Sequence, residues 1–273
     1  MLSGIGDPIE LKSLGIELIV NLSDVGQHLQ DHPLLSNYFL VNSNKTSDDV
    51  FRNSTIFDAD LAQWEANKTG LFGNPGSSTL AFLRIPPNAS IFEHEPDPSA
   101  GSQSAHFEML FRDGFATNLF PLPVSGHFMT INTAVVSPTS RGSVRLASTD
   151  PFASPLIDPN FFNTSFDRFA MLAAIRAARA FITAAPWKGY VTSRYGNVGM
   201  ANTDADIIEA ARNAIVTIWH PTSTARMSPA NASWGVVDPQ LRVKGPIIPA
   251  AHTVAPVYIV AERAADFIKD TWR

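Results

Sequence analysis

The sequence predicts an α+β fold, a mainly antiparallel sheet with flanking helices. Short runs of strand-like composition follow one another through the first half of the 273 residues, broken by Gly, Pro, Asn and Ser. Longer segments with helical apolar spacing and capping residues fill the second half. The chain is 45% hydrophobic and only 16% charged, enough to bury a substantial core in one large domain or two modest ones.

The elements are expected in this order. A short helix begins near Pro8 and ends near Leu14, and a strand covers Glu17 to Val20. A Gly/Asp turn and a tight knot from Gln27 to Pro33 follow. Strand-like runs come next: SNYFLV, STLAFLRI, AHFEMLF, GHFMTINTAVV and GSVRLAS. Between the first two, DADLAQWEANKTG reads as a helix closed by Gly70. Proline- and serine-rich loops break up residues 86–104. SFDRFAMLAAIRAARAFITAAP reads as a helix with a Ser/Asp start and a stop at Pro186. NTDADIIEAARNAIVTIW starts with capping residues and is predicted helical up to Trp219-His220-Pro221. APVYIVAERAADFIKDTW is expected to be a final amphipathic helix with Pro256 near its N-terminus.

Composition narrows the function classes. Net charge is −5, with no Lys/Arg block, which argues against a nucleic-acid footprint. Apolar runs are too short to cross a bilayer as a helix. The absence of cysteine excludes disulfides, thiolate metal sites and cysteine nucleophiles. Seven N-glycosylation sequons begin at Asn21, Asn44, Asn53, Asn67, Asn88, Asn163 and Asn231. That density points to an extracellular, glycosylated parent protein, although LSGIGDP after Met1 has no signal-peptide character.

Seven histidines are candidates for chemistry. HLQDH spaces His28 and His32 by four, but Pro33 ends any helix there and no H-E-x-x-H base is present, so a polar turn reads better than a metal site. His94 and His106 sit in or beside the proline-rich loop and read as exposed. His127, at a strand start, reads as structural. His220 lies between Trp219 and Pro221, where a structural histidine and a general base both fit. His252 precedes the last helix, whose first N–H groups suit electron-rich ligand atoms. Two such histidines can share one substrate hydroxyl, one taking the proton and the other orienting the oxygen. There is no G-x-S-x-G elbow, P-loop or G-x-G-x-x-G.

LSGIG with LKSLGIELIVNLSDVGQHLQDHP, SPTSRGSVRLASTDPFASPLIDPNFF, IWHPTSTARMSP with SWGVVDPQLRVKG, and PAAHTVAPVYIVAERAADFIK occur in this order along nearly the whole chain. Together they resemble segments of the glucose–methanol–choline (GMC) oxidoreductase family, and within it the secreted fungal aryl-alcohol oxidase branch. The resemblance implies a GMC substrate-binding domain with remnants of the FAD-binding domain. Residues 1–33 would end the FAD-binding region, 34–136 would form the substrate-binding sheet and loops, and 137–269 the C-terminal region with the catalytic histidines.

The implied reaction is oxidation of primary, aromatic alcohols to aldehydes. His220 matches the base that removes the alcohol proton, with hydride passing to the flavin, and His252 matches the histidine that hydrogen-bonds the substrate oxygen. Asp31, His32, Pro33, Trp219, Thr253, Ala255 and Pro256 match positions near FAD. Phe115, with Trp219, is implied on the substrate path, and FRDGFATNLFPLP is expected to place Phe111, Phe115 and Phe120 on one loop. Dioxygen or a quinone would be the electron acceptor. Two departures bear on the cofactor: the family's glycine-rich nucleotide half has no counterpart here, and a turn that touches the flavin diphosphate is missing between Gly245 and Pro246. Met1 thus reads as an internal methionine, and this polypeptide by itself is expected to hold FAD weakly. The alternatives are a catalytically silent ligand- or partner-binding fragment, and a sugar or polyol dehydrogenase of the same family.

Overall fold

A computed structural model of the chain describes residues 1–240 apart from 75, 78, 117 and 118, together with residue 243. Asp7 opens the first helix, accepting hydrogen bonds from the N–H groups of Ile9 and Glu10, and Pro8 takes the first helical position. The ordered elements are β1 (Ile5–Gly6), α1 (Pro8–Ser13), β2 (Val20–Asn21), β3 (Gln27–Leu29), β4 (Pro33–Val41), α2 (Asp48–Arg52), α3 (Ser54–Asn67), β5 (Thr79–Leu83), β6 (Phe107–Asp113), β7 (Phe128–Val135), β8 (Gly142–Arg145), β9 (Leu156–Asp158), α4 (Ser165–Phe181), β10 (Val191–Tyr195), α5 (Gly196–Met200), α6 (Asp204–Arg212) and β11 (Val216–Thr217).

The main sheet runs β10-β4-β7-β6-β5, with β11 also on β4, and every pairing in it is antiparallel. Period-two alternation divides its side chains between two faces. Leu35, Phe39 and Val41 of β4 join Phe107 and Met109 of β6 and Met129, Ile131 and Val135 of β7 on one face, and helix α4 covers them. Within α4, Ala170, Ala174 and Ala178 recur every four residues and are fully buried, so a stripe without bulk lies along the helix. Phe166, Met171 and Ile175 flank it in the core, and burial of each large apolar side chain stabilises by roughly 1.5–3 kcal/mol. The helix start is fixed twice. Thr164 caps it by accepting from the Asp167 N–H, and Asp167 accepts from the N–H groups of Thr139 at 2.7 Å and Ser140 at 3.0 Å.

The opposite face carries Leu34, Ser36 and Tyr38 of β4, Leu110 and Arg112 of β6 and Asn132 of β7, and no described helix lies over it as α4 does over the other. It is the floor of the cavities described below. Two smaller sheets complete the fold: the parallel pair β1–β2, and the antiparallel order β3-β8-β9. Gly26 and Gly142 make the second of these: a Cβ at either would run into the backbone oxygen of Val144 or Asp158. That close approach brings the turn before His32 onto β8.

Several expected boundaries move. The strand expected over Glu17 to Val20 is only Val20–Asn21, paired with Ile5–Gly6. The helix expected from Asp58 begins at Ser54, capped by Asn53, and ends at Lys68 in a left-handed conformation. Phe111 belongs to β6 and packs on Phe181 under the α4 face, away from the loop of Phe115 and Phe120. The largest difference follows α6, which stops at Arg212; Val216 and Thr217 then form a strand. The β-branched pair Val216-Thr217 meets an open edge of β4, and strand pairing there overrides the continuing helical apolar period. The expected last helix lies outside the described residues.

Candidate active site

The site is built where the N-terminal end of β4 meets the segment after α6. β10 pairs with β4 only from Tyr38 to Val41. Val216 and Thr217 pair with Leu34 and Pro33 nearer the start of the strand. Gln30 and Thr222 then exchange both backbone hydrogen bonds at 2.9 Å. Between these anchors lie two residues on one side, Asp31 and His32, and four on the other, Ile218 to Pro221. The surplus forms a bulge, a device that re-aims side chains beside sites.

Inside the bulge Trp219 takes φ 60°, a left-handed conformation that costs a bulky residue about 1–2 kcal/mol. The Trp219 N–H donates to Thr217 Oγ1 at 2.7 Å. The consequence is a reversal between neighbours: Trp219 is 67% exposed, while His220 is only 9% exposed. Pro221 brings no N–H that the bulge would have to satisfy and restrains His220 to extended backbone. His220 therefore sits in a strand bulge and not at the helix end expected from the sequence.

Asp31 holds the two segments together. Its Oδ1 accepts from the His32 N–H at 2.8 Å and from the His220 N–H at 3.1 Å. The two imidazoles then meet edge to face, with Nδ1 of His32 3.1 Å from Nδ1 of His220 and the ring planes at 80°. A contact between two Nδ1 atoms holds a single proton, donated by one ring and accepted by the other. The other half of HLQDH goes elsewhere, since His28 Nε2 lies 3.3 Å from Asp24 Oδ1. Asp24 also receives Arg226 Nη2 at 2.9 Å and the Gly235 N–H. Burial works to raise the Asp24 carboxyl, but the Gly235 N–H and Arg226 outweigh it and hold the group below the usual carboxylate range. This pin fastens the chain after Thr222 to the turn before His28.

Two adjoining cavities lead away from Trp219. The inner one, about 300 Å³, is lined by Leu34, Ser36, Leu110, Arg112, Asn132 and residues Val216 to Trp219. The outer one, about 630 Å³, runs under the Phe120–Val124 loop toward Tyr195 and Ala210. Ser36, Tyr38, Phe115, Phe120 and Ala214 border both. Phe115 stacks on Tyr38 with centroids 4.0 Å apart and planes 17° apart, and its edge meets Phe128.

Of the residues singled out from sequence, the structure brings Asp31, His32, Pro33, Trp219 and His220 into one cluster, with Phe115 on the adjoining channel. His252, Thr253, Ala255 and Pro256 lie outside the described residues. His106, expected to be exposed, is fully buried: Nδ1 accepts from the Ile85 N–H at 2.9 Å and Nε2 meets Asp97 Oδ1 at 2.9 Å. His127 has a structural contact, with Thr46 Oγ1 3.1 Å from its Nδ1. Asn132, Ser36, Tyr38 and Arg112 were not anticipated. A polar Asn inside the buried run FMTINTAVV is the one signal that would have pointed to them.

Residues 138–261 match the profile described as GMC oxidoreductase (GMC_oxred_C). Over 98% of its length the chain is 35% identical to the dehydrogenase eriK of Hericium erinaceus and covers 47% of that protein. It is 31% identical to a pyranose dehydrogenase of Agaricus xanthodermus, again over 98% of this chain and 47% of the relative. Residues 138–261 are the C-terminal domain of the GMC oxidoreductase family. Formate oxidase of Aspergillus oryzae RIB40 superposes on 99% of it with a TM-score of 0.89 and 33% identity, covering 51% of that enzyme. A fungal aryl-alcohol oxidase shares the fold at a TM-score of 0.76 and 22% identity, over 98% of this chain and 52% of the other. The chain thus spans about half the length of the relatives it matches.

GMC oxidoreductases are FAD-dependent flavoproteins, and FAD in formate oxidase is the subject of the Aspergillus structure. The residues present fit a flavin ring: the exposed Trp219 indole offers a flat apolar face, and the buried imidazole pair begins at the next residue. Asp31, expected near the cofactor, accepts from two backbone N–H groups on Oδ1.

Proposed function

We propose that this chain forms the substrate half of an FAD-dependent alcohol oxidoreductase whose substrate is a primary, aromatic alcohol. The observation that carries the reading is the buried His32–His220 pair, whose His220 follows directly on Trp219, a wall of the inner cavity together with Tyr38 and Phe115. Bound FAD supplies the hydride acceptor for alcohol oxidation. Pro33 and Trp219 would meet its ring, together with Thr253, Ala255 and Pro256. Dioxygen or a quinone serves as the final acceptor.

The chain's own part is binding and proton transfer. His220 takes the hydroxyl proton, and the Nδ1–Nδ1 contact sets which nitrogen does so. With the shared proton on His220 Nδ1, its Nε2 is the basic atom and His32 accepts as the Nε2–H tautomer. The charge formed on His220 by proton uptake is then stabilised by the His32 lone pair. Asp31 fixes the backbone of both residues, so the pair is oriented before substrate arrives. His252 orients the substrate oxygen. Tyr38, Phe115 and Trp219 offer aromatic faces on which the ring of the alcohol stacks.

The test is anaerobic stopped-flow mixing of the flavin-loaded protein with 4-methoxybenzyl alcohol. Bleaching of the flavin absorbance is expected, and an unreduced flavin at saturating alcohol overturns the reading. For location, we propose an extracellular, glycosylated parent protein. Its support is that all seven sequon asparagines are solvent-exposed.

A further inference from the structure

Asn132 is 7% exposed, borders the inner cavity, and its Oδ1 is buried without a hydrogen-bond partner. An acceptor left in that state costs roughly 1–3 kcal/mol, so its place in the centre of the sheet calls for a donor from the cavity. Register puts it among other polar groups. Ser36 lies directly opposite Asn132 on β4, and Arg112 stands diagonally across on β6, paired with Thr130 while Asn132 pairs with Leu110. Such diagonal neighbours are within reach of a long side chain. Arg112 packs its guanidinium against Gly76, where a Cβ would come within 2.6 Å of Nη2. It pairs with no carboxylate among the described residues. One sheet face along the cavity therefore combines Asn132, whose amide oxygen lacks a donor, Arg112 without a carboxylate partner, and the Ser36 hydroxyl.

We infer that this inner cavity is a subsite for a second hydroxyl group of the alcohol substrate, held by Asn132 with Arg112 and Ser36. The inference rests on the alcohol-oxidoreductase reading for which end of the ligand reacts. A carboxylate would satisfy Arg112 but brings no proton for Asn132 Oδ1, and an ether or ketone oxygen fails in the same way. A hydroxyl donates to Oδ1 and accepts from the guanidinium through one atom. Position fixes the spacing. Pro33, beside the imidazole pair, and Ser36 are three residues apart on β4, roughly 10 Å along the strand. The preferred substrate is an aromatic alcohol with a hydroxyl at the far end of the molecule from the reacting carbinol.

Two probes separate the possibilities: 4-(2-hydroxyethyl)benzyl alcohol, which carries the distal hydroxyl, and 4-ethylbenzyl alcohol, which does not. With flavin-loaded protein, kcat/KM at the benzylic carbinol should favour the diol by about tenfold, the worth of one well-placed hydrogen bond. The ratio should fall toward one in Asn132→Leu and decline in Ser36→Ala, a milder change that guards against misfolding of the first variant. Calorimetric titration of the 273-residue chain with each probe needs no turnover and should show the same preference and the same loss. A binding preference for the diol that Asn132→Leu abolishes, without turnover of either probe, supports the subsite while sinking the oxidoreductase reading. Equal binding of the two probes, as expected if Asn132 holds an ordered water only, overturns the subsite. So does a preference that survives both substitutions.

Discussion

Nδ1 of His32 and Nδ1 of His220 lie 3.1 Å apart although 188 positions separate the residues in sequence. One nitrogen of His220 is thereby engaged by its neighbour, and under the proposed function the other takes the hydroxyl proton. His220→Ala in the flavin-loaded protein should slow alcohol-dependent flavin reduction by roughly 10²–10⁴-fold, the usual worth of a positioned base. Stopped-flow rates within a factor of about two of the parent would exclude it.

His32 should matter through acceptance of a hydrogen bond, not through bulk. His32→Leu should lower the reduction rate about tenfold or more, while His32→Gln, whose side-chain oxygen can accept, should recover much of it. Equal rates for the two variants would show that His32 merely fills space.

Asp31 Oδ1 joins β4 to the bulge through two N–H donors. Removing a charged acceptor from buried donors costs roughly 1.5–3 kcal/mol. Asp31→Ala should therefore melt several degrees below the parent, and His220 should lose its fixed position. A thermal melt unchanged within about 1 °C argues against the staple.

Asp97 predicts a pH dependence. Its partial burial works to raise the carboxyl, but Ser99, His106 and Arg84 outweigh this and hold it well below its usual value of 3.8. The sign follows: a group depressed in the folded state stabilises above its unfolded value, and the effect is lost as pH falls through the folded one. The Asp97 side chain is 40% exposed, so solvent screening limits the contribution to about 1 kcal/mol. Denaturant titrations of the parent and Asp97→Ala should differ most above about pH 4 and converge as the pH is lowered toward 2. A gap that stays constant across that range removes the linkage.

Sequon use is checked by expression in a secretory host. Endoglycosidase treatment should increase mobility on a denaturing gel, since Asn44, Asn53, Asn67 and Asn88 are all exposed. No mobility change would count against an extracellular parent.

Much of this site was legible in the sequence as residue types and little of it as geometry. Strands β4 to β7 announce themselves because β-branched and aromatic runs end at Gly, Pro or Asn, and α4 because its caps and alanine spacing agree. Trp219-His220-Pro221 stood out for composition. The bulge did not, because it depends on the partner strand: nothing in residues 213–222 says that Gln30 and Pro33 will fix both ends. His106 misled for a similar reason. A proline-rich neighbourhood suggests exposure, yet Asp97 and the Ile85 N–H satisfy both ring nitrogens and allow complete burial. Asn132 showed as an amide inside a strand-like run, but the run gives no sign of which face it will take.

The segment from Thr217 to Thr222 has its length set at both ends by pairing, so the inward turn of His220 is a matter of counting. Exchanges of side chain at 218 or 219 alter the wall of the channel and leave the count intact. Removing or adding one residue there would turn the indole inward and the imidazole outward, or abolish the bulge, whatever the new composition. For anyone diversifying this protein the stretch is therefore intolerant of frame: the side chain at 218 can be exchanged with the bulge intact, whereas length-varied libraries will be populated by molecules whose imidazole no longer meets His32.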